Sequence, residues 1–328
     1  MGRPANIFEI IYDITSKEDN VLTVSELCQM CNVSRSGYYR WIKAEETRKR
    51  KEEKDREDFD LILKAYMHRG YEKGAKGIHM QLLHMDPPVV MNEKKIRRLM
   101  KKFNLNCPIR KANPYRRMAK ALKTSNYSDN LVNREFEKHG PRAILLTDIT
   151  YLQYNGTFAY LSTILDAYTK QILSYVLSES LKVDFVLDTI NQLVEKHGID
   201  FNAETIVHSD QGCHYTSYSF IQILKDNGLR QSMSRRGNCW DNAPQESFYG
   251  HMKDEIGKRL LYCESFKDVK ELIDDWIDFY NNERYQWQLA KLSPNEFYEY
   301  ITTGVYPTKK KKSYEALLIN NDKYINTI

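Results

Sequence analysis

The feature that most restricts the fold of this chain is a change of hydrophobic rhythm near residue 143. Before it, apolar residues recur at helical spacing. After it come three apolar runs, AILLTDITYL (143–152), TFAYLSTILDAYT (157–169) and QILSYVLS (171–178), with little between them. Runs of this length, rich in Ile, Leu, Thr and Tyr, read as strands. Asn155-Gly156 separates the first two and is a hairpin signal, because both residues tolerate positive φ. A helix at about 183–197 follows, then the strand ETIVHSD, a helix from Ser217 to Asn227, the short strand LRQSMS and a helix from Pro244 to about Lys258. A meander followed by alternating helix and strand predicts an α/β layout on a mixed sheet. Residues 265–301 read mostly as amphipathic helix.

The segment before 143 reads as all-helical. In VLTVSELCQMCNVSRSGYYRWIK (21–43), Ser25 is expected to cap a short helix that turns Leu27 and Met30 inward. A second helix from Ser34 is expected to bury Tyr38, Tyr39 and Trp41 or Ile42, giving a helix-turn-helix. Residues 44–58 are charged in both signs and fit an exposed helix. A second helical pair follows. Ile78, Leu82 and Leu83 mark its first helix, Asp86-Pro87-Pro88 breaks it, and Asn92 caps a helix with Ile96, Leu99, Met100 and Phe103 inward. The other faces of that helix carry Lys94, Lys95, Arg97, Arg98, Lys101 and Lys102. Net charge over the chain is only +5, yet residues 91–123 hold twelve Lys and Arg against Glu93 alone, a local +11. Such a block points to a polyanion, above all nucleic acid. Arg116 and Arg117 extend the block into a Pro-containing linker able to follow a DNA backbone.

Three carboxylates occupy telling positions. Asp148 ends the first strand, Asp210 ends the buried strand TIVHS, and Glu246 lies in the first turn of the helix opened by Pro244. Asp and Glu are rarely buried without a partner. Two strand-end Asp and a helix Glu can converge on one sheet edge. Hard oxygen donors of this kind suit Mg²⁺ or Mn²⁺ rather than Zn²⁺, and a pair of such ions about 3.5–4 Å apart serves phosphodiester chemistry. Lys253, seven residues after Glu246, returns to nearly the same helix face and can meet a phosphate. Tyr249 and Gly250 are expected on that face, with Gly250 allowing DNA close.

Other groups have plainer readings. Asp166 reads as a turn or cap, His208 as a structural histidine, and Trp276 and Phe279 as core. Asp241 and Asn242 build the turn before the Glu246 helix. Cys28 and Cys31 lack a partner pair for zinc, as do His79 and His84, and Lys309–Lys312 reads as a solvated tail.

Residues 144–301 resemble the integrase catalytic core of bacterial insertion-sequence transposases, related to retroviral integrases. TDITY around Asp148, HSDQGCHYTS around Asp210 and SRRGNCWDNAPQESFYGHMKDE around Glu246 carry the resemblance. Thirty-five residues lie between Asp210 and Glu246, which matches that family, as does the offset of Lys253. YNNERYQWQLAKLSPNEF resembles its closing segment. NVSRSGYYRW and the basic helical pair resemble the second reading frame of the third numbered insertion-sequence family. The resemblance implies an α/β, ribonuclease H-like integrase core behind N-terminal all-α helix-turn-helix domains. It implies Asp148, Asp210, Glu246 and Lys253 as catalytic residues. It also implies two Mg²⁺, with Mn²⁺ able to substitute, double-stranded DNA as substrate, and a homo-oligomer on DNA ends. Hydrolytic nicking followed by transesterification is the implied chemistry. The family's working enzyme is usually a fusion with an upstream-frame DNA-binding protein, so fusion or association with one is expected.

The expected organisation is a helix-turn-helix at 1–45, a linker helix and second helix-turn-helix at 46–107, a basic linker at 108–142, the catalytic core at 143–301 and a tail at 302–328. With no run of eighteen apolar residues, no signal-peptide layout and six scattered cysteines, the expected place is the bacterial cytoplasm, on the nucleoid when DNA-bound, away from membranes. Two rival readings are a DNA-binding regulator with a dead core and a nuclease of resolvase type that cuts without joining.

Overall fold

The computed structural model describes residues 4–108, 139–198, 201, 204–234 and 243–307. The chain forms two compact units that divide at Lys64 and Ala65.

The first unit holds α1 (Pro4–Thr15), α2 (Val24–Met30), α3 (Arg35–Lys43) and most of α4 (Glu45–Met67). Thr23, not Ser25, caps α2, in a reciprocal box with Glu26. Ser34 caps α3 through the Gly37 amide. The core is Ile11, Leu27, Cys28 and Tyr38. Met30 is 72% exposed and Tyr39 46%. With its cap two residues earlier, the two-turn α2 presents Leu27 and Cys28 to its neighbours and leaves Met30 on its last turn.

In the second unit a five-stranded sheet runs in the order β3-β2-β1-β4-β5. β1 (Ile144–Tyr154), β2 (Thr157–Asp166) and β3 (Ile172–Ser178) form an antiparallel meander, and β4 (Ile206–Ser209) and β5 (Arg230–Met233) add parallel to β1. Asn155 and Gly156 take positive φ at the first hairpin. One face of the sheet, with Leu145, Ile164, Leu173 and Val207, buries against α7 (Asp184–His197) and α8 (Tyr218–Asp226). The opposite face, with Ile144, Leu146, Leu161 and Leu165, buries against α9 (Ala243–Leu260) and α10 (Phe266–Asn282). Alternate side chains point to opposite faces, so the paired starts of β1 (Ile144–Leu146) and β4 (Ile206 and Val207) are continuously apolar because helices cover both sides there. Trp276 and Phe279 lie in that core, as the sequence suggests.

The basic helical pair α5 (Ala75–Leu83) and α6 (Glu93–Lys102) falls in this same unit. Arg69 forks onto Asp275, Asp278 and Glu283 at 2.6–2.8 Å. Tyr71 stacks on Phe279, and His84 stacks on Tyr285 and reaches Glu296 of α11 (Pro294–Thr303) at 3.4 Å. The stretch 265–301, expected to be mostly helix, forms two, α10 and α11. Between them a loop takes positive φ at Ala290 and Lys291.

Candidate active site

The parallel ladder between β1 and β4 sets the site. Leu146 stands opposite His208, so two residues further on Asp148 comes beside Asp210, which directly follows β4. The expectation that Asp148 ends its strand is corrected: β1 runs on to Tyr154 because its outer half stays paired with β2, and Asp148 lies mid-strand where the parallel partner stops. Adjacent strands run about 4.8 Å apart. Asp148 is half-buried and Asp210 exposed. Asp210 opens a tight turn in which its Oδ1 accepts from the Gly212 amide at 2.9 Å. A Cβ on Gly212 would fall 2.9 Å from that oxygen, so a larger residue there would push the Asp210 carboxylate aside.

Glu246 and Lys253 are carried in by α9, exposed on its outer side. Two buried neighbours of Glu246 bolt this helix to the sheet. The Tyr249 hydroxyl lies 2.6 Å from the Asp148 main-chain oxygen and 2.8 Å from Thr163 Oγ1. The Gln245 amide donates to the same Thr163 hydroxyl. Phe248, Met252 and Ile256 anchor the rest of the inner face. At the far end of α9, Glu255 is buried and accepts from Trp276 Nε1 at 3.0 Å and from Arg284 Nη2 at 2.8 Å. Tyr249 thus departs from its expected place on the exposed face: its hydroxyl has buried acceptors to satisfy and the helix turns it inward. Gly250 is exposed with nothing within 4 Å of an added Cβ.

Electrostatics tie these groups together. The Asp148 carboxyl is pushed up to about 7, first by desolvation and further by the charges of Asp210 and Glu246; the Ile149 amide and Lys253 pull the other way. Lys253 is lowered by partial desolvation, opposed by Asp148. No three Asp, Glu, His or Cys among the described residues already stand close enough to hold one ion together. Like charges repel, and the Oδ1 atoms of Asp148 and Asp210 are each engaged by a local amide.

The rival carboxylate is accounted for. Asp166 is fully buried and accepts from the Arg142 amide and guanidinium, the Tyr168 amide and the Thr169 hydroxyl, which makes it a turn-holding group. His208 is buried with Nδ1 3.0 Å from Ser232 Oγ, a structural histidine as read.

Comparison with known proteins agrees with this geometry. Integrase core domain models match residues 138–239 and 227–294, and an HTH-like domain model matches 52–113. A 31 kDa uncharacterized protein of insertion element IS600 from Shigella sonnei is 30% identical over 83% of this chain and 97% of its own. A transposase for insertion sequence IS3A from Escherichia coli is 26% identical over 87% and 97%. The chain belongs to the insertion-sequence transposases. Among solved structures, the HTLV-2 integrase catalytic core domain in complex with magnesium aligns at 15% identity over 48% of this chain and 96% of that one, with TM-score 0.37. The transposase is a DNA-acting polynucleotidyl transferase of the DDE class.

Of the transposase residues expected on DNA, Lys94, Arg97, Arg98, Lys101 and Lys102 are exposed on α6 and Lys95 is half-buried. Arg97 is paired with Glu93 one turn earlier. Arg116, Arg117, Asp241, Asn242 and Lys309–Lys312 lie outside the described residues. No helix among the described residues is long and apolar enough to cross a membrane. Sequence reading missed Gln245, Thr163 and Tyr215 as groups around the site. Tyr215 lies within the quoted HSDQGCHYTS stretch, but its role depends on where its ring points.

Proposed function

We propose that Asp148, Asp210 and Glu246 are the catalytic carboxylates of this transposase and hold divalent metal, two Mg²⁺ with Mn²⁺ able to replace them. The observation that carries the reading is the parallel register that brings Asp148 of β1 beside Asp210 just past the end of β4, with the helix of Glu246 bonded to the Asp148 backbone. The donor set fits. It is all oxygen, it lies at a solvent-accessible edge, and the charges of Asp210 and Glu246 raise the proton affinity of Asp148, a cost that a divalent cation relieves. When bound, such a pair of ions activates a water or 3′-hydroxyl and stabilises the leaving oxygen of a phosphodiester.

The protein's own groups do the positioning. Tyr249 and Gln245 keep α9 against β1 and β2, so Glu246 and Lys253 stay beside Asp148. Lys253 is the phosphate clamp. Joining requires a 3′-hydroxyl and a second DNA to be held in line, which demands phosphate contacts beyond the carboxylates. The reaction is nicking at element ends followed by strand transfer, on double-stranded DNA, by a homo-oligomer, with an upstream-frame DNA-binding protein fused or associated. Lys94, Lys95, Arg97, Arg98, Lys101, Lys102, Arg116 and Arg117 follow the DNA backbone.

The test is a labelled element-end duplex with Mg²⁺, resolving nicked from joined products, with the frameshift fusion included. Asp148→Asn and Asp210→Asn are each expected to abolish nicking while DNA binding persists. Lys253→Ala is expected to lower joining more than nicking. Residual nicking by either asparagine variant would sink the carboxylate assignment, and an equal loss of both steps would reduce Lys253 to general phosphate binding.

A further inference from the structure

Two buried tyrosines lie under the carboxylates, and they differ. Tyr249 is satisfied: its hydroxyl bonds to Thr163 and to the Asp148 main-chain oxygen. Tyr215 is not. It follows Asp210 in the same turn, where its amide donates to the Gly212 carbonyl at 3.0 Å. The ring is 2% exposed and packs edge-on against Phe220 at 5.2 Å. Its carbonyl accepts from the Gln231 side chain at 2.8 Å. Ring and backbone are therefore fixed. The hydroxyl, however, makes no hydrogen bond of acceptable geometry among the described residues: the Thr147 side chain is near enough for a weak contact only, and the charges of Asp148 and Asp210 act on it.

A buried hydroxyl without a bond costs stability, and phenylalanine would fill the same space without that cost. Packing therefore does not explain the oxygen. The same applies to the fold of the turn, which is held by the Asp210 carboxylate, the Gly212 carbonyl and Gln231. The ring stands beside the Asp210 turn, where a Cβ built on Gly212 would meet both Asp210 Oδ1, at 2.9 Å, and the Tyr215 ring, at 3.6 Å.

We propose that Tyr215 is a positioning residue for catalysis, whose buried hydroxyl donates to the Asp148 carboxylate when Asp148 and Asp210 engage a divalent cation. The inference rests on the reading of those two residues as metal ligands. A carboxylate bound to a cation through one lone pair has others to offer, and a fixed donor behind it sets its rotamer and tightens the site. Tyr249 holds the Asp148 backbone from the helix side; Tyr215 holds its carboxylate from the turn side.

The experiment compares Tyr215→Phe, Tyr249→Phe and Asp148→Asn in the full chain by three measurements: thermal unfolding without metal, Mn²⁺ binding by electron paramagnetic resonance, and nicking over a Mn²⁺ titration. For Tyr215→Phe, the unfolding temperature is expected to be unchanged or raised. Its Mn²⁺ affinity is expected to fall about tenfold or more, within the range seen when outer partners of metal ligands are removed. Nicking should recover at high Mn²⁺. Tyr249→Phe should lower the unfolding temperature, because it orphans satisfied groups. An unfolding temperature lowered by Tyr215→Phe as much as by Tyr249→Phe would make the hydroxyl structural and overturn the proposal. Unchanged Mn²⁺ affinity in Tyr215→Phe, with Asp148→Asn losing it, overturns the role of the tyrosine and leaves the metal reading standing. Unchanged affinity in Asp148→Asn overturns both.

Discussion

Asp148 and Asp166 show how much a carboxylate's function depends on its donors. Both belong to the antiparallel meander, Asp166 as the last residue of β2 and Asp148 in the middle of β1. Asp166 is surrounded by four donors and is consumed in holding the turn after β2. Asp148 accepts from the Ile149 amide and feels the charge of two further carboxylates. Its affinity for protons is raised from 3.8 to about 7, so the folded protein retains a proton that the unfolded chain has already released. Stability of the metal-free protein therefore falls as pH rises from about 3.8 to about 7, and levels off above that. Asp148→Asn removes the ionisation and should make the metal-free protein more stable than its parent at pH 8, on the order of 1–3 kcal/mol after allowance for partial solvent access. The two should converge near pH 4. Chemical denaturation at both pH values checks this, and equal stability at pH 8 would mean that Asp148 ionises there without cost. Sequence spacing identifies Asp148, Asp210 and Glu246 as candidates, because the buried runs that lead into the two aspartates and the helix start before Glu246 are readable from periodicity. It could not single out Asp148 as the perturbed one, because desolvation is a property of what packs around a group.

At the scale of elements, α6 has a dry side and a charged side. Ile96, Leu99 and Met100 are buried, and Asn92 caps the helix through the Lys94 amide. This is as the sequence pattern suggests. The pairing of Arg97 with Glu93 adds a refinement, since an exposed pair of this kind is weak but occupies the guanidinium. Changing Arg97, Arg98, Lys101 and Lys102 to alanine should weaken DNA binding and make the log–log salt slope shallower by roughly 3, with Arg97 contributing least. An unchanged slope, measured by fluorescence anisotropy across salt concentrations, would mean that α6 does not meet phosphate. Strands β1 to β5 were legible because apolar runs of strand length bounded by turn residues have few other uses. The short α2 was misread at its cap and at Met30, because with two turns the neighbouring helices, not the period, choose the buried side.

For the whole molecule, the boundary at Lys64 and Ala65 separates two independent cores. The first is small, built on Ile11, Leu27, Cys28 and Tyr38; the second covers both faces of the sheet. A small core buries a smaller share of its surface and is the less stable. Calorimetry should resolve two transitions, the first from the smaller unit. Tyr38→Ala, which removes its largest buried side chain at a cost of about 3–5 kcal/mol, should lower or abolish the first transition and leave the second in place. A single transition that moves as a whole would show the units to be coupled. Read alone, the sequence determined the helical front, the α/β core, the catalytic candidates and the family, because each depends on local period or on short motifs whose chemistry demands particular residues. Only the tertiary structure decided that α5 and α6 belong with the catalytic unit, through Arg69 and its three acidic partners some two hundred residues away. It alone turned Tyr249 inward onto Asp148 and left the hydroxyl of Tyr215 buried beneath the carboxylates. These are contacts between residues distant in sequence, set by which faces the sheet and helices bury against each other, and no local pattern encodes them.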